Sequence, residues 1–84
     1  MKYDVQLSKN AQKSLVKIDP RYKGKIIAVL FALETNPTLG KRLVGDRSDE
    51  YSYRVGTYRI IYTIKQKELI ILVIDVGHRK DVYR

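Results

Sequence analysis

The 84-residue chain reads as an α+β domain with the element order β-α-α-β-β-β. Three observations predict it. Residues 9–35 carry two stretches of apolar residues at helical spacing, parted at Asp19-Pro20. A Gly56-Thr57 dipeptide then joins two runs that alternate apolar and polar with period two. The most apolar run of the chain, Leu69 to Val76, follows after Lys65-Gln66-Lys67-Glu68. The expected architecture is an antiparallel three-stranded meander sharing one sheet with an N-terminal strand, and two helices packed on one face. A chain this short builds a single core, so residues 1–84 are read as one domain.

Each element has a local reason. Tyr3-Asp4-Val5-Gln6-Leu7 alternates, with Tyr3, Val5 and Leu7 on one side of a short strand. Ser8 is suited to cap a helix over Lys9–Ile18, in which Ala11, Leu15 and Ile18 form an apolar stripe and Lys9, Lys13 and Lys17 a basic one. Asp19-Pro20 restarts the chain as a second helix, with Asp as N-cap and Pro at the first position, where no N–H is needed. That helix runs to about Thr35 with Tyr22, Ile26, Val29, Leu30 and Leu33 on one stripe, widened by Ile27 and Phe31, before Asn36-Pro37 ends it. Residues 36–50 read as a loop whose mixed charges, Lys41 and Arg42 among them, ordinarily mean solvation. Leu69–Val76 is apolar on both sides, the pattern of a central strand covered on both faces.

Composition excludes several classes. There is no Cys and one His, so neither a disulfide framework nor a zinc site is expected, and no cofactor is implied. Met1-Lys2-Tyr3-Asp4 has no apolar signal region and the longest apolar run is far too short to span a bilayer, so the expected location is cytoplasmic with no membrane partner. Net charge is +8, from 17 Lys and Arg against 9 Asp and Glu. Such an excess suits a polyanionic partner, nucleic acid or an acidic protein, although lysine-rich helix faces also serve solubility alone. Residues 1–42 hold nine of the basic and three of the acidic residues, so the excess lies mainly in the helical half.

The hairpin register carries the first functional signal. With Gly56-Thr57 as a type I′ or II′ turn, Val55 pairs with Tyr58, Ser52 with Ile61, and Arg54 stands opposite Arg59. Like charges in that position repel, and guanidinium cannot shed its proton. Either the arginines splay apart or pair with Asp75 or Glu50, or they form a phosphate cradle, since their forked donors match phosphate oxygens. On the other side lie Tyr51, Tyr53, Val55, Tyr58, Ile60, Tyr62 and Ile64. Helices must cover one face, and this is the more apolar one, so these tyrosines are expected in the core with hydroxyls at its rim rather than as a base-stacking platform. The tail Gly77-His78-Arg79-Lys80-Asp81-Val82-Tyr83-Arg84 then sets imidazole, guanidinium and phenol just beyond the last strand, as a docked plug or part of a site.

This pattern resembles the RelE family of type II toxin–antitoxin toxins over essentially the whole chain. The most specific parts are Tyr53-Arg54-Val55-Gly56-Thr57-Tyr58-Arg59-Ile60-Ile61-Tyr62 and Val76-Gly77-His78-Arg79-Lys80-Asp81-Val82-Tyr83. The resemblance implies a RelE-like fold and a metal-independent endoribonuclease that enters the ribosomal A site and cuts mRNA, arresting translation. It also implies a cognate RelB-like antitoxin, whose complex with the toxin can bind operator DNA. Residue by residue, Arg59, Arg79 and Tyr83 match members of the family's catalytic set. Two family lysines before the turn are replaced by Glu50 and Ser52, which leaves the general acid/base to either Glu50 or His78. Arg54, Ser52, Lys41, Arg42 and the stripe Lys9, Lys13, Lys17 are then expected to contact RNA phosphate, and Tyr83 to stack on a base or relay a proton. The alternatives are a ParE-like inhibitor of DNA gyrase, or a catalytically weakened toxin retained for antitoxin binding and operator control.

Overall fold

The computed structural model describes residues 2–45 and 49–78. Its elements are β1 (Asp4–Leu7), α1 (Lys9–Val16), α2 (Pro20–Leu33), β2 (Lys41–Arg42), β3 (Glu50–Val55), β4 (Tyr58–Lys65) and β5 (Ile70–His78). One five-stranded sheet has the order β1-β5-β4-β3-β2, in which β1 runs parallel to β5 and the remaining neighbours are antiparallel. The expected α+β architecture stands, with one strand more than predicted. β2 is only two residues long, Lys41 opposite Ser52 and Arg42 opposite Tyr51, too short to leave a period-two signature within a charged loop.

The helix starts follow from their caps. Ser8 Oγ accepts the Ala11 N–H at 3.0 Å and donates to the carbonyl of Ile74 at 2.7 Å, so one hydroxyl both opens α1 and fastens it to β5. Asp19 accepts the Arg21 N–H at 3.0 Å, with Pro20 at the first helical position. The carbonyl of Glu34, just past α2, accepts the Tyr3 N–H at 2.8 Å and ties the helix exit to the entrance of β1.

Ala11, Ile26 and Leu33 from the helices, Ile18 from the turn between them, and Val55, Ile60, Tyr62, Ile71, Val73 and Val76 from the sheet form the buried core. Each large aliphatic residue buried there contributes about 1.5–3 kcal/mol of transfer free energy. Tyr51, Tyr53, Tyr58 and Ile64 pack half-buried against this cluster, so the tyrosine-rich side of the hairpin is the helix-covered one, as expected. Ile27 and Phe31, by contrast, do not widen the buried stripe of α2; they are 41% and 66% exposed. β5 also departs from the prediction. It is central, but Ile70, Leu72 and Ile74 remain half-buried while Ile71 and Val73 are fully buried, because the helices cover one face only.

A bulge in β5 shifts which residues face the helices. Ile61 pairs with Asp75 and Tyr62 with Val73, leaving Ile74 as the extra residue. Its carbonyl is the one that Ser8 holds. Beyond the bulge Val76 pairs with Ile60 and His78 with Tyr58, so the strand continues through Gly77 and His78 rather than ending at Val76. No helix among the described residues is long and apolar enough to cross a membrane.

Candidate phosphate-binding groove

The β3–β4 hairpin adopts the register read from its turn: Val55 opposite Tyr58, Arg54 opposite Arg59, Ser52 opposite Ile61. Gly56 has φ +59° and Thr57 is not left-handed, which is the type II′ arrangement. Since successive strand residues point to opposite sides, fixing Tyr51, Tyr53, Val55, Tyr58 and Ile60 under the helices turns Glu50, Ser52, Arg54 and Arg59 to the open face.

There the two arginines take different environments. Arg54 is exposed, whereas Arg59 is half-buried, with Nε below the surface and Nη1 donating to Ser52 Oγ at 3.3 Å. Ser52 is itself 6% exposed, the one buried polar residue among the described residues. Asp75, one candidate counter-charge, is turned instead toward α1, where its Oδ1 accepts the Ser14 hydroxyl at 3.3 Å and its own neighbour's N–H, that of Val76, at 2.9 Å.

A groove of about 630 Å³ opens beside this pair. Its cationic wall is Lys41, Arg42, Arg54 and Arg59, with Ser52 beneath. Leu39, Leu43, Val44 and Tyr53 supply the apolar remainder, and no carboxylate lines it among the described residues. Four basic groups around a partly apolar trough match a polyanion whose repeating phosphates alternate with flat, weakly polar rings. The apolar wall was not anticipated from sequence. The available signal was Leu43-Val44, two apolar residues inside a charged loop, and Val44 is 89% exposed.

The remaining sequence candidates are distributed unequally. Glu50 is half-buried on the same face of β3 as Ser52 and Arg54, two and four positions away. His78 is on the helix side, its ring edge-on to Tyr58 with centroids 5.3 Å apart. Lys9, Lys13 and Lys17 are exposed on or just after α1, which covers β5 and so stands at the other end and the other side of the sheet from the groove. Arg79 and Tyr83 lie outside the described residues.

The loop that carries Lys41 and Arg42 is held by Tyr62. Its ring is fully buried and stacked on Tyr51, with centroids 5.4 Å apart and planes 15° from parallel. Its hydroxyl donates to the Pro37 carbonyl at 2.8 Å and accepts the Gly40 N–H at 2.8 Å. Burial pushes the Tyr62 phenol above its ordinary pKa of 10.0; the Gly40 N–H acts in the opposite sense, and Tyr51 adds to the rise.

Two helices over one face of a five-stranded mixed sheet are the fold of a type II toxin–antitoxin toxin of the RelE/ParE superfamily. Residues 5–83 match the sequence family described as "ParE toxin of type II toxin-antitoxin system, parDE", and the chain belongs to that family. Toxin RelG of Mycobacterium tuberculosis is 33% identical over 86 residues, spanning 100% of this chain and 99% of that protein. The toxin–antitoxin complex RelBE2 of the same organism contains a chain that superposes with TM-score 0.85 at 30% identity, over 94% of this chain and 100% of that one. The isolated RelE toxin of Escherichia coli shares the fold, with TM-score 0.80 at 22% identity over 90% of this chain and 83% of that one.

Proposed function

We propose that this toxin is a ribosome-dependent mRNA endoribonuclease whose substrate phosphates are gripped in the groove between β2 and the β3–β4 hairpin. The observation that carries this reading is the convergence of Lys41, Arg42, Arg54 and Arg59 on one trough that no described carboxylate lines. Arg54 and Arg59 stand opposite each other across the hairpin. The forked donors of two guanidiniums in that arrangement match the oxygens of a phosphate, which would also offset the repulsion between them.

Cleavage in this reading proceeds by attack of a ribose 2′-oxygen on the adjacent phosphorus. A P–O2′ bond forms, the P–O5′ bond breaks, the 2′-hydroxyl proton passes to a base and the departing 5′-oxygen takes a proton from an acid. Arg59, braced by Ser52, stabilises the charge that builds on the pentacoordinate phosphoryl oxygens. Glu50 is the preferred base, because it shares the face of Ser52 and Arg54, whereas His78 shares the face of Tyr58. Arg79 and Tyr83 keep the roles that family resemblance gives them, transition-state stabilisation and base stacking. A RelB-like antitoxin is the proposed partner, supported by the RelBE2 toxin–antitoxin complex among the similar structures.

The test is to add the protein to translating ribosomes and map message ends. Cut mRNA that disappears with Arg59→Ala plus Arg79→Ala, while circular dichroism stays native, is the expected result. The name of the matching family favours a second reading, inhibition of DNA gyrase. Intact message together with blocked supercoiling would replace the first reading with that one.

A further inference from the structure

Two of the four groove cations sit on a strand that cannot hold itself. β2 pairs through only two residues, and both of its side chains are exposed. An edge pair of that length is marginal in water unless something else anchors it. Continuation of the pairing by the Leu43 N–H to the Glu50 carbonyl, at 2.8 Å, adds one bond beyond it.

We infer that the buried Tyr62 hydroxyl is a latch that positions Lys41 and Arg42 across the groove from Arg54 and Arg59. The inference rests on the phosphate-groove reading for its consequence, but the latch itself stands on geometry. Tyr62 is fully buried, so its hydroxyl has left water and requires protein partners; it finds both in the loop that leads into β2, the Pro37 carbonyl and the Gly40 N–H. One O–H group thereby satisfies two loop backbone groups and closes the approach to Lys41. The fit is tight. A Cβ at position 40 would stand 2.7 Å from the Tyr62 hydroxyl oxygen and 3.0 Å from the Ser52 carbonyl, so the loop reaches the sheet only because residue 40 is Gly.

Ser52 connects this contact to the other side of the groove. Its carbonyl borders Gly40 while its hydroxyl accepts from Arg59, and Lys41 stands opposite it in register. Tyr51, stacked on the Tyr62 ring, stands opposite Arg42. The ring of Tyr62 thus bears on Tyr51 directly and its hydroxyl holds Gly40 beside Ser52; Tyr51 and Ser52 are the two residues of β3 against which β2 is built. Tyr62 does not line the groove; it is a positioning residue.

The experiment compares the full-length wild type with Tyr62→Phe, which removes one oxygen and keeps the ring. The first measurement is amide exchange at Gly40 and tryptic cutting after Lys41 and Arg42. Both should rise about tenfold or more while exchange in β4 and β5 is retained, as expected for a locally opened loop. Unchanged Gly40 exchange overturns the latch, whatever happens to RNA. The second measurement is binding of a short 2′-O-methyl oligoribonucleotide across a salt series. Tyr62→Phe should weaken binding about five- to tenfold and flatten the salt dependence toward that of Lys41→Ala/Arg42→Ala, whose loss of two phosphate contacts lowers the slope by about 1.4. In the Lys41→Ala/Arg42→Ala background the Tyr62 change should then cost nothing further. Equal losses in both backgrounds would overturn a latch acting through those two cations. If Lys41→Ala/Arg42→Ala leaves binding unchanged, the phosphate-groove reading falls, and exchange at Gly40 still decides the latch.

Discussion

The two faces of the β3–β4 hairpin are made from the same residues in alternation yet obey opposite rules. Under the helices Val55, Ile60 and Tyr62 are buried and Tyr51, Tyr53 and Tyr58 close around them. On the open face Arg54 stands opposite Arg59, whose Nη1 donates to the Ser52 hydroxyl. The apolar face supplies the free energy that holds the repulsive one in place. Because the alternation has period two, a slip of one residue would bury the arginines and expose the tyrosines, so the core fixes the site's register as firmly as the fold's. The difference predicts that substitutions of Arg54 and Arg59 should change activity and spare stability, that helix-face substitutions should do the reverse, and that Ile61, fully buried beside Ser52 on the arginine side, counts with the structural set.

The largest expected effect tests the first half. Arg54→Ala plus Arg59→Ala should lower message cleavage by more than a hundredfold, on the scale of lost transition-state donors. The melting temperature should change little, since loss of the like-charge cross-strand pair offsets loss of the Arg59 hydrogen bond to Ser52. A melting temperature that collapses with activity would show that the arginines are structural. Next comes Ile60→Ala, one residue along the same strand and fully buried. Loss of roughly 2–5 kcal/mol in urea unfolding is expected, with RNA affinity of the folded fraction unchanged. A selective loss of affinity at full stability would break the division between faces.

Much of this division is legible in sequence because its causes are local. Gly56-Thr57 sets the hairpin register, Ser8 and Asp19 announce their helices, and register alone brings Arg54 to Arg59. The features that escape are those whose cause lies far along the chain. The bulge at Ile74 is hidden in a uniformly apolar run and is held by Ser8, 66 positions away. β2 depends on a Tyr62 hydroxyl 22 positions from Gly40. The lysines of α1 form a true stripe, but only the sheet order shows that α1 stands over β5, at the far end from the groove. His78 is placed on the helix side by the same bulge, which reverses the parity of everything after it.

A smaller effect should come from the turn itself. Gly56 has φ +59°, and a Cβ there would lie 2.6 Å from Tyr22 Cε1, on the helix side. Gly56→Ala should therefore lose about 1–2 kcal/mol from the left-handed backbone, with a further increment as the Tyr22 ring gives way. If the two faces are separable, groove affinity in the folded fraction is retained; a matching fall in affinity would mean that the turn transmits strain to Arg54 and Arg59.

The smallest effect concerns the start of α2, where Asp19 receives both the Arg21 side chain, at 2.7 Å, and its backbone N–H. The Arg21 side-chain hydrogen bond, followed by its backbone one, holds the Asp19 carboxyl below its usual pKa of 3.8. A carboxyl whose folded pKa is depressed adds stability that is present above its unfolded pKa and is lost as pH falls through the lower folded value. Asp19→Asn keeps a capping oxygen and removes the charge. Its unfolding midpoint in urea should consequently sit slightly below wild type at pH 7 and converge with it near pH 2, because the wild type alone loses this contribution on acidification. Arg21 is 81% exposed at its side chain, so salt should shrink the difference at pH 7 as well. The Asp19 N–H donates to the Tyr58 hydroxyl at 3.2 Å through the backbone, a contact that the substitution leaves in place. A gap that persists at low pH would assign the effect to the cap geometry instead of the ion pair.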